Sequence, residues 1–407
     1  MLLQIIVPIA VFTGIVLVLS SLVLFARRWL EPSGPVSIDV NGERVIDAQA
    51  GRRLLWTLAD NGIYLPAACG GRGTCGQCRV TIMSGGGPPL PPEAIHISAE
   101  EREKGVRLAC SVKIRDDMQI AVPASVLDVR QWSCEVISAR NVATYIRELV
   151  LQLPGPDRIE FSAGAYVVIE VPPHRIDFRD FDIGDRYLDD WRQSGLLELE
   201  SAVDTSVLRA YSLANPPHED NRLVLLVRIA PPPATAPPGT PPGKASSYLF
   251  SLAIGDTLAV SGPFGEFRAR DTDNEMIFIA GGVGISPIRS IILDQLSRGS
   301  RRKMSLWYGA RDKNDLCYIE EFEEAARRHD NFELHVALSA SRDDDDWKGH
   351  RGFIHQMVYE RYLSTHAAPG DVEYYLCGPP IMSASVMEML EQLGVDRSRI
   401  LFDDFGG

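Results

Sequence analysis

Three of the seven cysteines in this 407-residue chain fall within ten residues. They form the pattern Cys69-x5-Cys75-x2-Cys78, and Cys110 follows after a gap of 31 residues. An odd number of cysteines in a long chain is a poor disulfide framework, whereas crowded thiolates are typical of metal or cluster ligation. Four thiolates in this order are what a [2Fe–2S] cluster requires. The spacing therefore predicts a cluster held by Cys69, Cys75, Cys78 and Cys110.

The alternative for these cysteines is a structural zinc ion. A zinc ribbon presents two C-x2-C pairs, and this chain has one. The first gap is one residue longer than in plant-type ferredoxins, and it resembles the adrenodoxin-like branch of the same fold. The loop also carries four glycines, which allow backbone amides to approach the sulfur atoms. The pattern favours the cluster, and Cys134 and Cys317, which stand alone, are interpreted as core residues.

Length and charge limit the remaining possibilities. A chain of 407 residues is expected to form two or three domains, and 45% hydrophobic with 23% charged residues indicates a globular protein. The net charge of −13 argues against a nucleic-acid partner, because phosphate backbones are bound by basic surfaces.

The N-terminal segment, residues 2–26, has no charged residue. About 20 apolar residues suffice to span a bilayer. A cleaved signal peptide, the alternative, carries positive charge before its apolar core. Here no Lys or Arg precedes the segment, whereas Arg27 and Arg28 follow it. The pattern predicts one uncleaved membrane helix with every later domain in the cytoplasm.

The rest of the chain divides into three predicted domains after an anchor and linker at residues 1–32. Residues 33–128 are expected to form an α+β ferredoxin-like (β-grasp) [2Fe–2S] domain, with a hairpin at Asn41-Gly42 and a helix over 53–61. Residues 129–273 contain short strand patterns, for example 166–171 and 223–229. They predict an antiparallel β-barrel. The acidic insert 172–207 is interpreted as a solvated loop, with subunit docking as the alternative.

Residues 274–407 alternate between strand and helix patterns, which predicts an α/β domain with a parallel sheet. The expected strands are 276–280, 304–308, 332–338, 373–377 and 400–402.

Motifs in the last two domains, taken in order, resemble the ferredoxin–NADP reductase family. Arg209-x-Tyr211-Ser212 is similar to its R-x-Y-S motif, and the resemblance implies that Arg209 holds a flavin phosphate, Tyr211 packs on the isoalloxazine ring and Ser212 approaches N5. Gly243-Lys-Ala-Ser246 opens a helical pattern whose free amides suit a pyrophosphate. The third motif is a G-P-x-G turn formed by Gly262 and Gly265.

The fourth resemblance is a glycine-rich turn between a predicted strand and a helix. It contains Gly281, Gly282, Gly284 and Pro287, in the order G-G-x-G-x-x-P and not G-x-G-x-x-G. Such a turn lets backbone amides approach a pyrophosphate. Cys377-Gly378-Pro379 ends another predicted strand and is similar to the family's C-G-P motif. These residues are the candidates for binding the dinucleotide, with Cys377 among the candidate catalytic residues together with Tyr211, Ser212 and Phe405.

The order of ferredoxin, flavin and nicotinamide domains is also found in soluble oxygenase reductases. The apolar N terminus, the insert, Trp307-x3-Arg311 and the ending 401–407 instead resemble the NADH-oxidising subunits of sodium-translocating NADH:quinone oxidoreductases. That resemblance implies NADH oxidation, noncovalent FAD, one [2Fe–2S] cluster and other membrane subunits as partners in a bacterial inner membrane. The resemblance to the reductase family implies that Phe405 covers the flavin where the nicotinamide stacks, and the alternative is that Phe405 fills a core pocket.

Three functions therefore stand as hypotheses. The first is the NADH-oxidising electron-input subunit of a membrane quinone reductase, and the second is the reductase component of a multicomponent oxygenase. The third is a tethered electron carrier or docking subunit without a working nicotinamide site. NADH is predicted over NADPH, because four aspartates, Asp343, Asp344, Asp345 and Asp346, follow Arg342 and would repel a 2′-phosphate.

Overall fold

The computed structural model describes residues 2–30, 34–233, 235–237, 239–340 and 347–403. The predictions for residues 341–346 and for Phe405 lie outside the described residues. The chain forms two compact units. The first comprises the residues up to Leu65 together with Gly71–Asp128, and the second comprises Pro66–Gly70 together with the residues from Val129 onward. The domain boundaries proposed from the sequence stay predictions.

The segment interpreted as a membrane anchor lies in one helix, α1 (Leu2–Leu30). Among the residues that the structure describes, no helix meets the length and apolarity needed to cross a membrane. The anchor stays a prediction from the sequence.

The first unit is built on a mixed five-stranded sheet of order β2-β1-β5-β3-β4. The hairpin expected at Asn41-Gly42 joins the first two strands through a three-residue loop, since Val40 pairs with Arg44, and both Asn41 and Gly42 have positive φ. Its strands are β1 (Pro35–Val40), β2 (Arg44–Gln49), β3 (Arg79–Ser84), β4 (Val106–Leu108) and β5 (Met118–Ala121). Its helices are α2 (Leu54–Asp60), α3 (Ala99–Glu103) and α4 (Ala124–Leu127).

A buried ion pair between Glu93 and Arg107 holds the loop that follows β3. The two side chains are 2.8 Å apart and almost fully buried. Arg107 also donates to the carbonyls of Gly86 and Gly87, so it fastens the glycine-rich turn to β4. Burial alone would raise the pKa of Glu93, but hydrogen bonds from Arg107 and from backbone amides lower it below its usual value. The carboxylate therefore stays charged and keeps the turn in place.

The second unit begins with a six-stranded antiparallel sheet of order β11-β8-β13-β6-β7-β12. Leu213, the residue after one outer strand, pairs with Leu225 of the other outer strand, which closes the sheet into the predicted barrel. The strands from Arg130 to Phe264 are β6 (Arg130–Ala143), β7 (Ile146–Gln152), β8 (Tyr166–Val171), β9 (His174–Asp177), β10 (Glu200–Val203), β11 (Val207–Ser212), β12 (Arg222–Arg228) and β13 (Thr257–Phe264). The helices are α5 (Asp185–Gln193) and α6 (Lys244–Ser251).

The prediction that the acidic insert is a solvated loop is wrong. β9 and β10 form a hairpin around α5, and the insert contributes aromatic side chains to the barrel core. Trp191 is fully buried, and its indole N–H donates to the carbonyl of Thr144 at 2.6 Å. Most of the aspartates stay on the surface while the apolar side chains between them point inward, so the composition of the segment hid its amphipathic pattern.

The rest of the second unit is a parallel sheet of order β17-β16-β15-β14-β18-β19, which confirms the five expected strands. They are β14 (Met276–Gly281), β15 (Met304–Ala310), β16 (Phe332–Leu338), β18 (Glu373–Cys377) and β19 (Ile400–Asp403), with a short β17 (His350–Arg351) at the edge. The helices are α7 (Ile285–Ser297), α8 (Ile319–Arg328), α9 (Ile354–Arg361) and α10 (Pro380–Gln392). The order changes direction at β14, so its carboxyl end is the expected place for a ligand.

Candidate cofactor sites

Two cysteines of the first unit, Cys78 and Cys110, bring their thiols together. A hydrogen bond between the thiols of Cys78 and Cys110 is the largest reason why the pKa of Cys78 is raised, and burial adds to it. Cys78 and Cys110 are each 1% exposed, whereas Cys75 is half-buried. Thiols this close and this well shielded suit a cluster that excludes water.

The loop is held by close backbone packing. Gly76 has φ 68°, and a Cβ at this position would lie 2.7 Å from Cβ of His96, so only glycine fits. Arg79 donates to the carbonyl of Gly76 at 3.0 Å and to that of His96, and it pairs with Glu101. Sequence reasoning missed Arg79 in this role, since a single arginine at the start of a strand is not a recognisable signal.

The fourth predicted ligand, Cys69, is 1% exposed and precedes Cys75 on the same loop. Within the described part of the chain, no group of three or more His, Cys, Asp or Glu side chains is arranged to hold a single metal ion. Ligation of the cluster by all four cysteines stays a prediction.

The R-x-Y-S motif lies on β11 and lines a cleft of about 530 Å³ in the second unit. This volume falls in the range of small-molecule and cofactor sites. Burial raises the pKa of Tyr211, so its hydroxyl stays protonated at neutral pH. Nine of the predicted cofactor-binding residues line the cleft: Arg209, Tyr211, Ser212, Gly243, Ser246, Gly281, Gly284, Gly378 and Pro379.

The cleft contains two places where the backbone itself could meet a phosphate. Gly243 precedes α6, and a Cβ there would lie 2.7 Å from Cβ of Ala230. Lys244 and Ala245, in the first turn of α6, line the cleft, so the amides at this helix start face it. Gly284 lies at the other place, where a Cβ would meet the carbonyl oxygen of Cys377 at 2.1 Å. The close approach of these segments suits a pyrophosphate and excludes larger residues.

Ser212 has a partner that sequence reasoning did not identify. Its hydroxyl donates to Oδ2 of Asp403 at 3.2 Å, although the two residues are 191 positions apart. β19 places Asp403 beside Cys377 in register with β18. The three residues therefore come from three strands, β11, β18 and β19, and Ser212 is the one that lines the cleft.

Helix α7 is fastened to the chain that follows the R-x-Y-S motif. Its side chains donate to three backbone carbonyls at the end of that motif and just after it: Ser286 to Ser212 at 2.8 Å, Arg289 to Ala214 at 2.6 Å and Ser290 to Asn215 at 2.7 Å. The glycine-rich turn that starts α7 is thus tied to the segment that carries the flavin motif.

A second cleft, of about 460 Å³, opens at the carboxyl ends of β14 and β15. Gly282 lines it, and Arg228, Gly281 and Pro379 line both clefts. A Cβ on Gly282 would lie 3.6 Å from a guanidinium nitrogen of Arg228. Arg228 was missed in the sequence, although an arginine that ends the apolar strand β12 was a possible signal.

Four other predicted site residues line neither of the two clefts. Gly262 and Gly265 pack against the Tyr166 region of β8, Pro287 is buried in the first turn of α7, and the Cys377 side chain is fully buried behind the cleft. Their roles in cofactor binding or catalysis stay predictions.

Comparisons with known proteins agree with this architecture. Three family models match the chain: the 2Fe-2S iron-sulfur cluster binding domain over residues 38–115, the oxidoreductase FAD-binding domain over residues 194–269 and the oxidoreductase NAD-binding domain over residues 278–388. The fold and these matches define an iron–sulfur flavoprotein reductase.

Full-length relatives show to which family of iron–sulfur flavoprotein reductases this chain belongs. The F subunit of the Na(+)-translocating NADH-quinone reductase of Neisseria meningitidis serogroup C is 51% identical over 99% of this chain and 100% of that protein. The corresponding protein of Shewanella denitrificans is 49% identical over the full length of both chains. This chain belongs to the family of Na(+)-translocating NADH-quinone reductase F subunits.

Solved structures share the fold. The crystal structure of the Amycolatopsis cytochrome P450 reductase has a TM-score of 0.64 and 27% identity, covering 91% of this chain and 98% of that one. The ferredoxin reductase in carbazole 1,9a-dioxygenase has a TM-score of 0.60 and 24% identity, with the same coverage.

Proposed function

We propose that this chain oxidises NADH and delivers electrons singly, through its [2Fe–2S] cluster, to the other membrane subunits of a Na(+)-translocating NADH-quinone reductase. The observation that carries the proposal is the meeting of two clefts at Arg228, Gly281 and Pro379. One cleft suits FAD and the other suits NADH, so the two cofactors can meet where the clefts share lining residues. The 51% sequence identity to the Neisseria relative, over 99% of this chain, favours this function over an oxygenase reductase or a carrier without a nicotinamide site.

Side chains and backbone groups of different chemistry would bind FAD in the flavin cleft. Arg209 offers a guanidinium for a phosphate, which it can bind with two parallel hydrogen bonds. The start of α6 offers backbone amides and the positive end of a helix dipole. Tyr211 offers an aromatic face, and Ser212 offers a hydroxyl oriented by Asp403. FAD bound there supplies the exchange between a two-electron hydride donor and a one-electron cluster.

The second cleft would hold NADH. Arg228 stands where the clefts meet, and its side chain is exposed there. Partial desolvation by the surrounding protein, with a smaller contribution from Arg311, lowers the pKa of Arg228 from its usual value. An arginine in a protein nevertheless keeps its positive charge at neutral pH. A charged arginine beside a glycine-rich turn suits the pyrophosphate of the dinucleotide.

The purified chain is expected to show flavin and cluster absorbance that bleaches when NADH is added without oxygen. NADPH is expected to act with a lower kcat/KM, because the charges of the aspartates at 343–346 would oppose a 2′-phosphate. Stopped-flow absorbance with both dinucleotides measures this. A chain that binds FAD but does not bleach with NADH would be a carrier and not the electron-input subunit.

Replacing Ser212 by Ala is expected to slow flavin reduction at saturating NADH by about tenfold to hundredfold, since a hydrogen bond to a charged group contributes about 1.5–3 kcal/mol. Asp403→Asn is expected to slow it less, because it keeps a partner for the hydroxyl. Stopped-flow rates over a range of NADH concentrations separate the rate from NADH affinity.

Thr272→Val is the matched control for these two variants, because its hydroxyl donates to the Glu373 carboxylate at 2.8 Å near the amino end of β18. An equal loss in the control and in Ser212→Ala would assign the effect to general destabilisation.

The location of the protein belongs to the same proposal. A single helix over residues 2–26 would hold the chain in the bacterial inner membrane, with the cofactor domains in the cytoplasm, because Arg27 and Arg28 follow the apolar segment. Sodium-stimulated quinone reduction by membranes that contain the chain would distinguish this assembly from an oxygenase reductase.

A further inference from the structure

Arg289 of α7 makes further contacts besides the hydrogen bond that connects it to the segment after the flavin motif. The Arg289 guanidinium makes two hydrogen bonds to the Glu321 carboxylate of α8, at 2.6 and 2.7 Å, besides its bond to the carbonyl of Ala214. It also lies 4.5 Å from the ring centroid of Tyr318. The guanidinium therefore has its orientation set by a carboxylate and an aromatic face at once.

Tyr318 connects Arg289 to the barrel. Its hydroxyl donates to Oε2 of Glu148 on β7, 170 positions earlier in the chain. Burial, followed by the charge of Glu148, raises the pKa of Tyr318, so the hydroxyl keeps the proton that it donates. The second oxygen of Glu148 pairs with Arg140 at 2.7 Å, and Glu148 is 6% exposed. A buried carboxylate with its oxygens engaged in this way holds a fixed position.

The backbone at Tyr318 is held in an uncommon conformation. Its φ is 59° and its ψ is 25°, in the left-handed region that non-glycine residues rarely adopt. This conformation starts α8 and presents the phenol ring to Arg289 and the hydroxyl to β7 at the same time. Strained residues persist where the surrounding structure determines them, and they cluster at functional sites.

We propose that Glu148, Tyr318 and Arg289 form a strut that positions the nicotinamide-binding half of the second unit against the flavin-binding barrel for hydride transfer. The strut runs from β7 of the barrel through Tyr318 to Arg289, and it ends on the carbonyl of Ala214. Ala214 is two residues beyond Ser212, the hydroxyl proposed to meet the flavin. The three side chains are positioning residues, since none of them lines the flavin cleft, and the inference rests on the proposed function.

The first test is Tyr318→Phe, which removes the hydroxyl and keeps the ring under Arg289. We expect flavin reduction at saturating NADH to slow by about tenfold to hundredfold with the NADH dissociation constant nearly unchanged, because small misplacements of reacting groups have effects of this size. The long-wavelength charge-transfer absorbance between NADH and the flavin should weaken in parallel. Glu148→Gln, which keeps the side-chain volume, should give the same pattern and serves if Tyr318→Phe folds poorly.

The matched control is Tyr362→Phe. Tyr362 also donates to a carboxylate, that of Glu275, but it does so where β14 begins, at the end of the sheet away from both clefts. Its loss should lower thermal stability without slowing flavin reduction. Equal slowing in Tyr362→Phe and Tyr318→Phe, or no slowing in Tyr318→Phe and Glu148→Gln, would overturn the strut.

Hydrogen–deuterium exchange without NADH tests the same strut independently of activity. The amides of residues 212–215 should exchange faster in Tyr318→Phe than in the wild type or in Tyr362→Phe, and unchanged protection would contradict the strut. If the wild-type protein is not bleached by NADH, the proposed function fails, while the exchange comparison still decides whether the strut holds this segment.

Discussion

Cys110→Ala is expected to lose iron and acid-labile sulfide while FAD stays bound, because a [2Fe–2S] cluster requires four thiolate ligands and Cys110 and the flavin cleft belong to different compact units. NADH-driven flavin reduction should continue at a near-normal rate. Quinone reduction in membranes should fall to background, since electrons would no longer have a one-electron exit. Iron and sulfide analysis and EPR spectroscopy measure the cluster, stopped-flow absorbance measures flavin reduction, and an assay of NADH-driven quinone reduction in membranes measures the electron exit.

The control for this variant is Cys134→Ala, which removes a fully buried thiol from β6 of the barrel. It should keep the EPR signal and full quinone reduction. A full [2Fe–2S] signal in Cys110→Ala would show that another residue completes the cluster. Loss of NADH-driven flavin reduction with FAD still bound would instead contradict the proposed order of electron transfer, from NADH to FAD and then to the cluster.

Removal of residues 1–32 is expected to leave FAD and cluster binding intact, since no cofactor motif begins before Cys69 in the chain. The truncated protein should still reduce a soluble artificial acceptor with NADH. Added to membranes that lack the native protein, it should restore quinone reduction poorly. Tethering raises effective concentration and increases binding by about 10²–10⁴ without new contacts, and truncation would lose that advantage.

A chimaera sharpens the truncation experiment. The same cytoplasmic residues fused to an unrelated single membrane helix of the same orientation would restore the tether but not any specific packing of the native helix. Recovery by the chimaera would assign the loss to tethering, whereas failure would assign it to helix packing. Full restoration by equimolar truncated protein would contradict the proposed anchor role.

Local chemistry explains what could be predicted from the sequence. The hairpin at Asn41-Gly42, helix α2 and the five long parallel strands follow from turn residues and from the period of apolar residues, which act over a few positions. The clustered cysteines and the R-x-Y-S and glycine-rich motifs are short and ordered. The cysteine spacing therefore indicated the cluster from ligand chemistry, whereas FAD and NADH were implied by the resemblance of the other motifs to a known family.

The insert 172–207 shows where local reasoning failed. Its aspartates dominated its composition, and the prediction of a solvated loop followed from that. The folded segment instead buries Phe178, Phe181 and Trp191, because their spacing places them on the inner side of a short hairpin and helix. Whether an apolar side chain in an acidic segment finds a core depends on the surface it meets, and the barrel supplied that surface.

The sequence by itself determined the fold class of the domains, the cluster-type cysteine spacing and the segments that carry the cofactor motifs. Only the tertiary structure decided which distant residues meet: Asp403 with Ser212, Arg228 at the junction of the two clefts, and Tyr318 between Glu148 and Arg289. The reason is that strand and turn preferences act between neighbours in the chain. These partners are instead brought together by sheet order and helix packing, which join positions up to 191 residues apart.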